Sequence, residues 1–83
     1  MFLINTNVLE KGGKKMFRNL HAEISRAGFS QEKMAELSNT SYSNFLNKIK
    51  GKRTWTLKEM LSIQKVINEK LDAQLSLDYL FKQ

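Results

Sequence analysis

The side chains best suited to binding chemistry in this chain lie on the second of two short predicted helices, between residues 30 and 51. The outward side of this helix is almost entirely polar or basic, whereas Phe45 and Ile49 supply an apolar inner side. Outward polar groups can form hydrogen bonds to base edges, and outward cations can neutralise phosphates. A polar turn joins the two helices, and Ala35 is small enough to let them approach closely. This combination predicts a helix-turn-helix, which presents its second helix to the major groove of DNA.

Tyr42 and Leu46 are the exceptions on that outward side. Together with Phe45 and Ile49, they form a stripe at positions i, i+3, i+4 and i+7. Tyr42 can therefore lie at the edge of the core or contact DNA, and the sequence favours neither interpretation. Leu46 can pack on the domain, contact a thymine methyl group or contact a partner protein.

Positive charge is concentrated around the second helix and the loop that follows it. The chain carries 14 Lys and Arg residues against 8 Asp and Glu residues, which gives a formal net charge of +6. The window between residues 37 and 58 has no acidic residue, and its five cations are Lys48, Lys50, Lys52, Arg53 and Lys58. A solvated lysine face is the plain alternative, but the coincidence with the predicted helix-turn-helix favours a polyanionic partner.

The composition argues against an enzyme or a metalloprotein. The chain has no cysteine and a single histidine, His21, which excludes disulfides and Cys/His metal sites. It contains no HExxH sequence and no glycine-rich phosphate loop. We therefore expect no enzymatic activity, no cofactor, no metal and no small-molecule ligand. The sequence also lacks a membrane span and a signal peptide, so we expect a cytoplasmic protein that does not bind membranes.

Helical periodicity and helix caps predict the elements that position this surface. The predicted helices span residues 17–27, 31–37, 42–50 and 57–68, with a final short turn over 77–81. The hydroxyl side chains that serve as N-caps are Ser30, Ser41, Thr56 and Ser76. The predicted fold class is all-α, and no strand is expected.

Apolar residues outside the predicted binding motif indicate how the helices pack. The fourth helix is expected to be the most buried, because its apolar residues, which include Leu57 and Leu61, span a wide face. Leu37 is expected on the inner side of the motif. Trp55 is expected to anchor the domain edge, and the alternative is a platform on which bases stack. The apolar residues near the C-terminus exceed what a short segment needs and therefore predict a homodimer; they are Leu75, Leu77, Leu80 and Phe81.

Residues 1–15 have a composition unlike that of the rest of the chain. Two adjacent glycines interrupt a basic segment without an apolar period, so we predict a flexible N-terminal extension followed by one domain over residues 16–83. The segment from Lys11 to Lys15 can be encoded by codons that contain a purine-rich ribosome-binding sequence just before a start codon, which makes Met16 a candidate natural start. The alternative is a basic arm that contacts phosphates.

Several residues of the chain occur in the order typical of one family of DNA-binding domains. They are Gln31, Ala35, Ser41, Phe45, Ile49, Gly51, Lys52, Thr56 and Leu57, followed by the closing segment 77–81. From residue 16 to residue 81, the chain resembles the Cro and lambda-repressor type of helix-turn-helix proteins, also called XRE-like, and in particular small phage-associated regulators. It departs from the family at Asn39, where glycine is usual, and at Thr40, where an apolar residue is usual.

The resemblance implies a compact five-helix, lambda-repressor-like DNA-binding domain whose third helix is the recognition helix. The residues that would contact bases are Tyr42, Ser43, Asn44 and Asn47. The residues that would contact phosphates are Gln31, Lys50, Lys52 and Arg53. The implied function is sequence-specific binding of double-stranded DNA by a homodimeric phage or prophage-type repressor. An antitoxin-like protein-interaction module with the same fold is the alternative.

Overall fold

Hydroxyl side chains determine where four helices of this domain begin. The computed structural model describes residues 16–83. In that range the helices are α1 (Arg18–Arg26), α2 (Gln31–Leu37), α3 (Tyr42–Ile49), α4 (Leu57–Leu71) and α5 (Leu77–Leu80), and there is no strand. The caps, which precede α2, α3, α4 and α5, each accept a hydrogen bond from a backbone N–H three residues later; they are Ser30, Ser41, Thr56 and Ser76. The predictions of an all-α fold and of five helices are confirmed for this part of the chain.

Two helix ends differ from the prediction because of left-handed backbone. Phe17 has φ 54° and precedes α1, so this helix starts one residue later than periodicity predicted. Asp72 has φ 52° and ends α4 at Leu71, three residues beyond the predicted end at Asn68. The predicted flexible extension over residues 1–15 lies outside the described residues and stays a prediction.

The five described helices contribute to one apolar core. The fully or almost fully buried apolar side chains within the helices are Leu20, Ile24, Met34, Ala35, Phe45, Ile49, Ile63, Ile67 and Leu80. On α4 only Ile63 and Ile67 are buried, while Leu57 is 61% exposed and Leu61 is 47% exposed. The expectation of a wide buried face on α4 was therefore wrong. With 3.6 residues per turn, Leu61 points away from the side of α4 that carries Ile63.

Leu37 is a second correction to the predicted core. Its side chain is 40% exposed, whereas Met34, one turn earlier on α2, is fully buried. Leu37 is the last residue of α2, where the chain turns toward α3. The inner side of α2 is formed instead by Met34 and Ala35.

An aromatic cluster joins Phe45 of α3 to Phe17 before α1, Trp55 before α4 and Phe81 after α5. Trp55 is 7% exposed, which confirms it as a hydrophobic anchor. Its ring packs edge-on against Phe45 at 5.6 Å, Phe81 at 5.4 Å and Phe17 at 6.2 Å between ring centroids. Such T-shaped pairs align the positive edge of one ring with the negative face of the next. The loop that precedes Trp55 is thereby fixed to the core.

The C-terminal segment closes the domain onto α1. The Tyr79 hydroxyl donates a 2.7 Å hydrogen bond to Oε2 of Glu23, whose side chain is 2% exposed. Asn19 donates a 2.9 Å hydrogen bond to the backbone oxygen of Tyr79. Leu80 is fully buried and Leu75, Leu77 and Phe81 are partly buried. The fold itself therefore accounts for much of the apolar surface on which the homodimer prediction depended.

Candidate nucleic-acid interface

The connection between α2 and α3 is fixed by backbone hydrogen bonds. Asn39 has φ 61°, the left-handed conformation that its short polar side chain tolerates. Its N–H donates to the Glu36 carbonyl at 3.1 Å, and the Thr40 N–H donates to the Ala35 carbonyl at 3.0 Å. This pair of bonds is a Schellman motif, which satisfies carbonyls that the end of α2 leaves open. Asparagine at this position therefore performs the conformational role of the glycine expected from the resemblance.

The start of α3 is fixed equally well. The Ser41 hydroxyl accepts a 3.1 Å hydrogen bond from the Asn44 N–H, and Ser41 itself is extended with ψ 152°. Ala35, which is 1% exposed, contributes no bulk between the two helices. Phe45 and Ile49 are buried and hold the inner side of α3 against the domain. The orientation of α3 is thus determined from its first turn to its last.

The outward side of α3 carries uncharged polar groups. Ser43 and Asn44 are exposed, and Asn47 is partly exposed. At 100° per residue these three side chains fall on the side opposite Phe45 and Ile49. Asn44 and Asn47 have no side-chain hydrogen bond within the described residues, so their amide groups remain available to a ligand. Three of the four predicted base-contacting residues therefore share one accessible face.

Tyr42, the fourth predicted base-contacting residue, lies to one side of that face. Its side chain is 45% exposed, so it is not part of the core. It lines a shallow surface groove together with Glu32, Lys33 and Glu36 of α2. Leu46, for which the sequence allowed contact with the domain, with DNA or with a partner protein, is partly buried.

Exposed cations follow α3 directly. Gly51 has φ 82°, and the N–H of Lys52 donates a 2.8 Å hydrogen bond to the Asn47 carbonyl, which turns the chain sharply after the helix. Lys50, Lys52 and Arg53 are all exposed. Two residues later the chain is fixed by the burial of Trp55. The three predicted phosphate-contacting cations are therefore held close to the end of α3.

Gly51 also marks a close approach by the residue that begins the described domain. A Cβ atom added at Gly51 would lie 2.9 Å from Cε of Met16. Met16 is partly buried and packs against the core. The turn after α3 is thus constrained both by its left-handed backbone and by this packing.

Lys48, the cation within α3, is not part of the free basic surface. Its ammonium forms an ion pair with the Glu59 carboxylate, and the exposed fractions of the two side chains are 12% and 23%. Glu59 also accepts a 2.8 Å hydrogen bond from the Thr56 N–H, which completes the capping box of α4. Of the five cations between residues 37 and 58, the other four have no carboxylate partner in the described chain.

The environment of Glu59 favours its charged form. Burial alone would raise the pKa of this carboxyl group, but the hydrogen bonds from Lys48 and from the backbone and side chain of Thr56 outweigh it. The pKa of Glu59 consequently lies below its ordinary value of 4.5. Glu59 is therefore charged at neutral pH, as its ion pair with Lys48 requires.

Gln31, the remaining predicted phosphate contact, begins α2 and is partly buried. Its Nε2 lies 3.4 Å from Nδ1 of His21, which links α2 to α1. This contact orients the Gln31 side chain at the N-terminal end of α2. A backbone N-terminus and an oriented amide are both suitable donors to an anion.

The pairing of Lys48 with Glu59 and the pairing of Tyr79 with Glu23 were missed from the sequence. Each joins residues on different helices, with 11 and 56 positions between the partners. The predicted cap at Thr56 marked the start of α4 but gave no indication that Glu59, three residues later, pairs with Lys48. No local pattern connects Tyr79 with Glu23.

Two kinds of site are absent from residues 16–83. This range contains no cluster of three or more His, Cys, Asp or Glu side chains placed to hold a metal ion. None of its helices has the length and apolar character that a membrane crossing requires. Comparisons of the chain with protein-family models, with curated proteins and with solved structures found no match.

Proposed function

We propose that this protein binds double-stranded DNA in a sequence-specific manner and that α2 and α3 form its helix-turn-helix. It would act as a cytoplasmic transcriptional regulator of phage or prophage type, with repression as the expected outcome. The observation that carries the proposal is the arrangement around α3. Uncharged amides and hydroxyls lie on its outward side, and exposed cations follow its C-terminal end.

The proposal divides the site by chemistry. Ser43, Asn44 and Asn47 offer donors and acceptors to base edges, which differ from one base pair to another in the major groove. Lys50, Lys52 and Arg53 offer positive charge to phosphates, which carry no sequence information but fix the orientation of the protein. If these three cations each neutralise one phosphate, the logarithm of the affinity should fall with the logarithm of salt concentration with a slope of about −2.7 per protomer.

The rigid construction of the motif supports specific binding. Both ends of α3 are held by hydrogen bonds, and its inner side is buried, so little backbone freedom remains to be lost when DNA binds. A surface that is already ordered gives up less entropy on association than a mobile one. The same rigidity keeps the distance between the base-contacting and phosphate-contacting groups constant.

A homodimer remains part of the proposal, with a different surface from the one expected. Leu57 and Leu61 lie one turn apart on α4 and are the most exposed leucines of the described chain. The domain measures 39 × 26 × 22 Å. Such a homodimer would bind two half-sites whose centres are separated by about 34 Å, one helical turn of DNA.

The same two leucines favour the alternative function, an antitoxin-like module that binds another protein. Leu57→Ser together with Leu61→Ser distinguishes the possibilities. Loss of dimerisation, with weaker binding to two-site DNA, supports the homodimer. A wild-type protein that stays monomeric at high concentration and on DNA argues against it and leaves a different protein as the partner.

The experiment that tests the proposal is binding-site selection from random duplex DNA, followed by affinity measurements on the selected and a random duplex at several salt concentrations. Asn47→Ala should weaken the selected site by roughly 1–3 kcal/mol and leave the random duplex unchanged. Lys52→Ala should weaken both duplexes equally and reduce the salt slope by about 0.9 per protomer. Lys65→Ala, on the exposed side of α4, is the matched control and should change neither. Absence of duplex binding at low salt would refute the proposal.

A further inference from the structure

The charge distribution along α3 indicates which bases it can recognise, provided that the proposed DNA-binding function is correct. Of the eight residues from Tyr42 to Ile49, only Lys48 is charged. The side chains available on the outward side are the hydroxyl of Ser43 and the amides of Asn44 and Asn47. The helix therefore meets a ligand with uncharged groups, and free cations occur only after it ends.

Guanine and adenine require different side chains in the major groove. Guanine presents two acceptors, O6 and N7, and is matched by the donors of arginine or lysine. Adenine presents the N7 acceptor beside the N6 donor, and an asparagine amide can satisfy both at once. The outward side of α3 has two such amides and no unpaired cation.

The ion pair between Lys48 and Glu59 removes the one residue of α3 that could have recognised guanine. Glu59 accepts hydrogen bonds from Lys48 and from Thr56, so its carboxylate is held in place by the start of α4. Lys48 is largely buried in this position and lies on the flank of α3, toward α4 and away from the outward face. Its charge is compensated before any DNA arrives.

We propose that α3 recognises adenine in A·T base pairs through the amides of Asn44 and Asn47, and that the Lys48–Glu59 ion pair excludes guanine from the bases read by this helix. The half-site contacted by α3 should therefore contain adenine where selection is strongest. Guanine preferences, where they occur, should lie outside the bases covered by α3.

The test uses the selected duplex with base analogues that each lack one hydrogen-bonding group of adenine. Replacing a selected adenine by 7-deazaadenine removes the N7 acceptor, and replacing it by purine removes the N6 amine. Each change should weaken the wild-type protein by roughly 5- to 150-fold, the range expected for one paired amide contact. Asn44→Ala and Asn47→Ala should each abolish the sensitivity to analogues at one position and retain it at the other. Lys65→Ala should retain both.

A second arm tests the role of the ion pair. Glu59→Gln keeps an oxygen that can accept from the Thr56 N–H but removes the charge that compensates Lys48. This variant should bind all duplexes more tightly, with a salt slope steeper by about 0.9 per protomer, and should accept guanine at a position where the wild type does not. An unchanged slope and an unchanged base preference would overturn the role assigned to Lys48 and Glu59.

The remaining outcomes separate this inference from the proposed function. Specific binding to sites in which α3 depends on guanine N7, shown by sensitivity to 7-deazaguanine, would overturn the adenine inference while the DNA-binding function stands. Binding of all duplexes with equal affinity would overturn both the adenine inference and the sequence specificity of the proposed function. Failure to bind any duplex at low salt would overturn the proposed function itself.

Discussion

Loss of the Trp55 ring should be among the most damaging single changes in this domain. The ring is 7% exposed and makes edge contacts with three other aromatic rings. Truncation of a buried tryptophan to alanine destabilises a protein by roughly 3–5 kcal/mol. At about 0.05–0.15 kcal/mol per residue, a domain of this size has a total free energy of unfolding of roughly 3–10 kcal/mol. Trp55→Ala should therefore remove much or all of it.

Trp55→Phe should behave differently because of the indole nitrogen. Nε1 of Trp55 is buried and has no hydrogen-bond partner within residues 16–83. A buried donor without a partner destabilises the folded state by about 1–3 kcal/mol. Phenylalanine retains a ring at this position but has no N–H, so relief of the unsatisfied donor offsets part of the lost volume. The free energy of unfolding should fall by less than about 1.5 kcal/mol, the range of a conservative core replacement.

Urea unfolding followed by far-UV circular dichroism measures both effects. Fluorescence is unsuitable because Trp55 is the single tryptophan of the chain. Tyr42→Ala, which removes a ring outside the core, is the control and should change the free energy of unfolding by no more than about 0.5 kcal/mol. Equal destabilisation by the two Trp55 variants would refute the reasoning about the indole nitrogen. A loss below about 1 kcal/mol for Trp55→Ala would refute the placement of the ring in the core.

Three further predictions concern polar and backbone features. The pKa of Glu59 is lowered from 4.5, so its contribution to stability is present above pH 4.5 and is lost as the pH falls through the lowered value. From about pH 5 to about pH 3, the melting temperature of the wild type should therefore fall more than that of Glu59→Gln, and equal falls would contradict the pairing with Lys48. The hydrogen bond to Glu23 raises the pKa of Tyr79 above 10.0. In folded Glu23→Gln, the pKa of Tyr79 measured by ultraviolet titration should therefore shift back toward 10.0. The same pKa in the variant and the wild type would argue against the hydrogen bond. Asn39 has a left-handed backbone, so Asn39→Val should reduce the free energy of unfolding by roughly 1–2 kcal/mol, whereas Asn39→Gly should not reduce it. Equal losses in the two variants would mean that the turn changes its conformation to accommodate valine.

Features encoded by a few neighbouring residues could be predicted from the sequence. A hydroxyl cap needs only a serine or threonine and the backbone N–H three residues later, so the starts of α2, α3, α4 and α5 were correct. Glycine and asparagine tolerate left-handed backbone by their own chemistry, and this is the conformation that Asn39 and Gly51 adopt after α2 and α3. The all-α class followed from these local signals.

Features that depend on packing between distant segments could not be predicted. The apolar residues of α4 span more of its circumference than the core covers, and only the placement of the other helices decides that Ile63 is buried while Leu61 is exposed. The pairing of Lys48 with Glu59 likewise depends on where α4 begins relative to the end of α3. Charge counting along the sequence treated Lys48 as available, and the structure shows that it is compensated.

The contact between α1 and α5 determines when, during protein synthesis, this domain can fold. Asn19 and Tyr79 are separated by 60 positions, yet they are hydrogen-bonded to each other, and Leu80 completes the core. The ribosome delivers the chain from its N-terminal end, so α1, α2 and α3 emerge while the residues that must cover them are still being added. Throughout that interval the nascent polypeptide exposes its apolar side chains to solvent and to chaperones. A premature stop codon before position 80 would therefore yield a translation product that cannot close its core and that becomes a substrate for proteolysis.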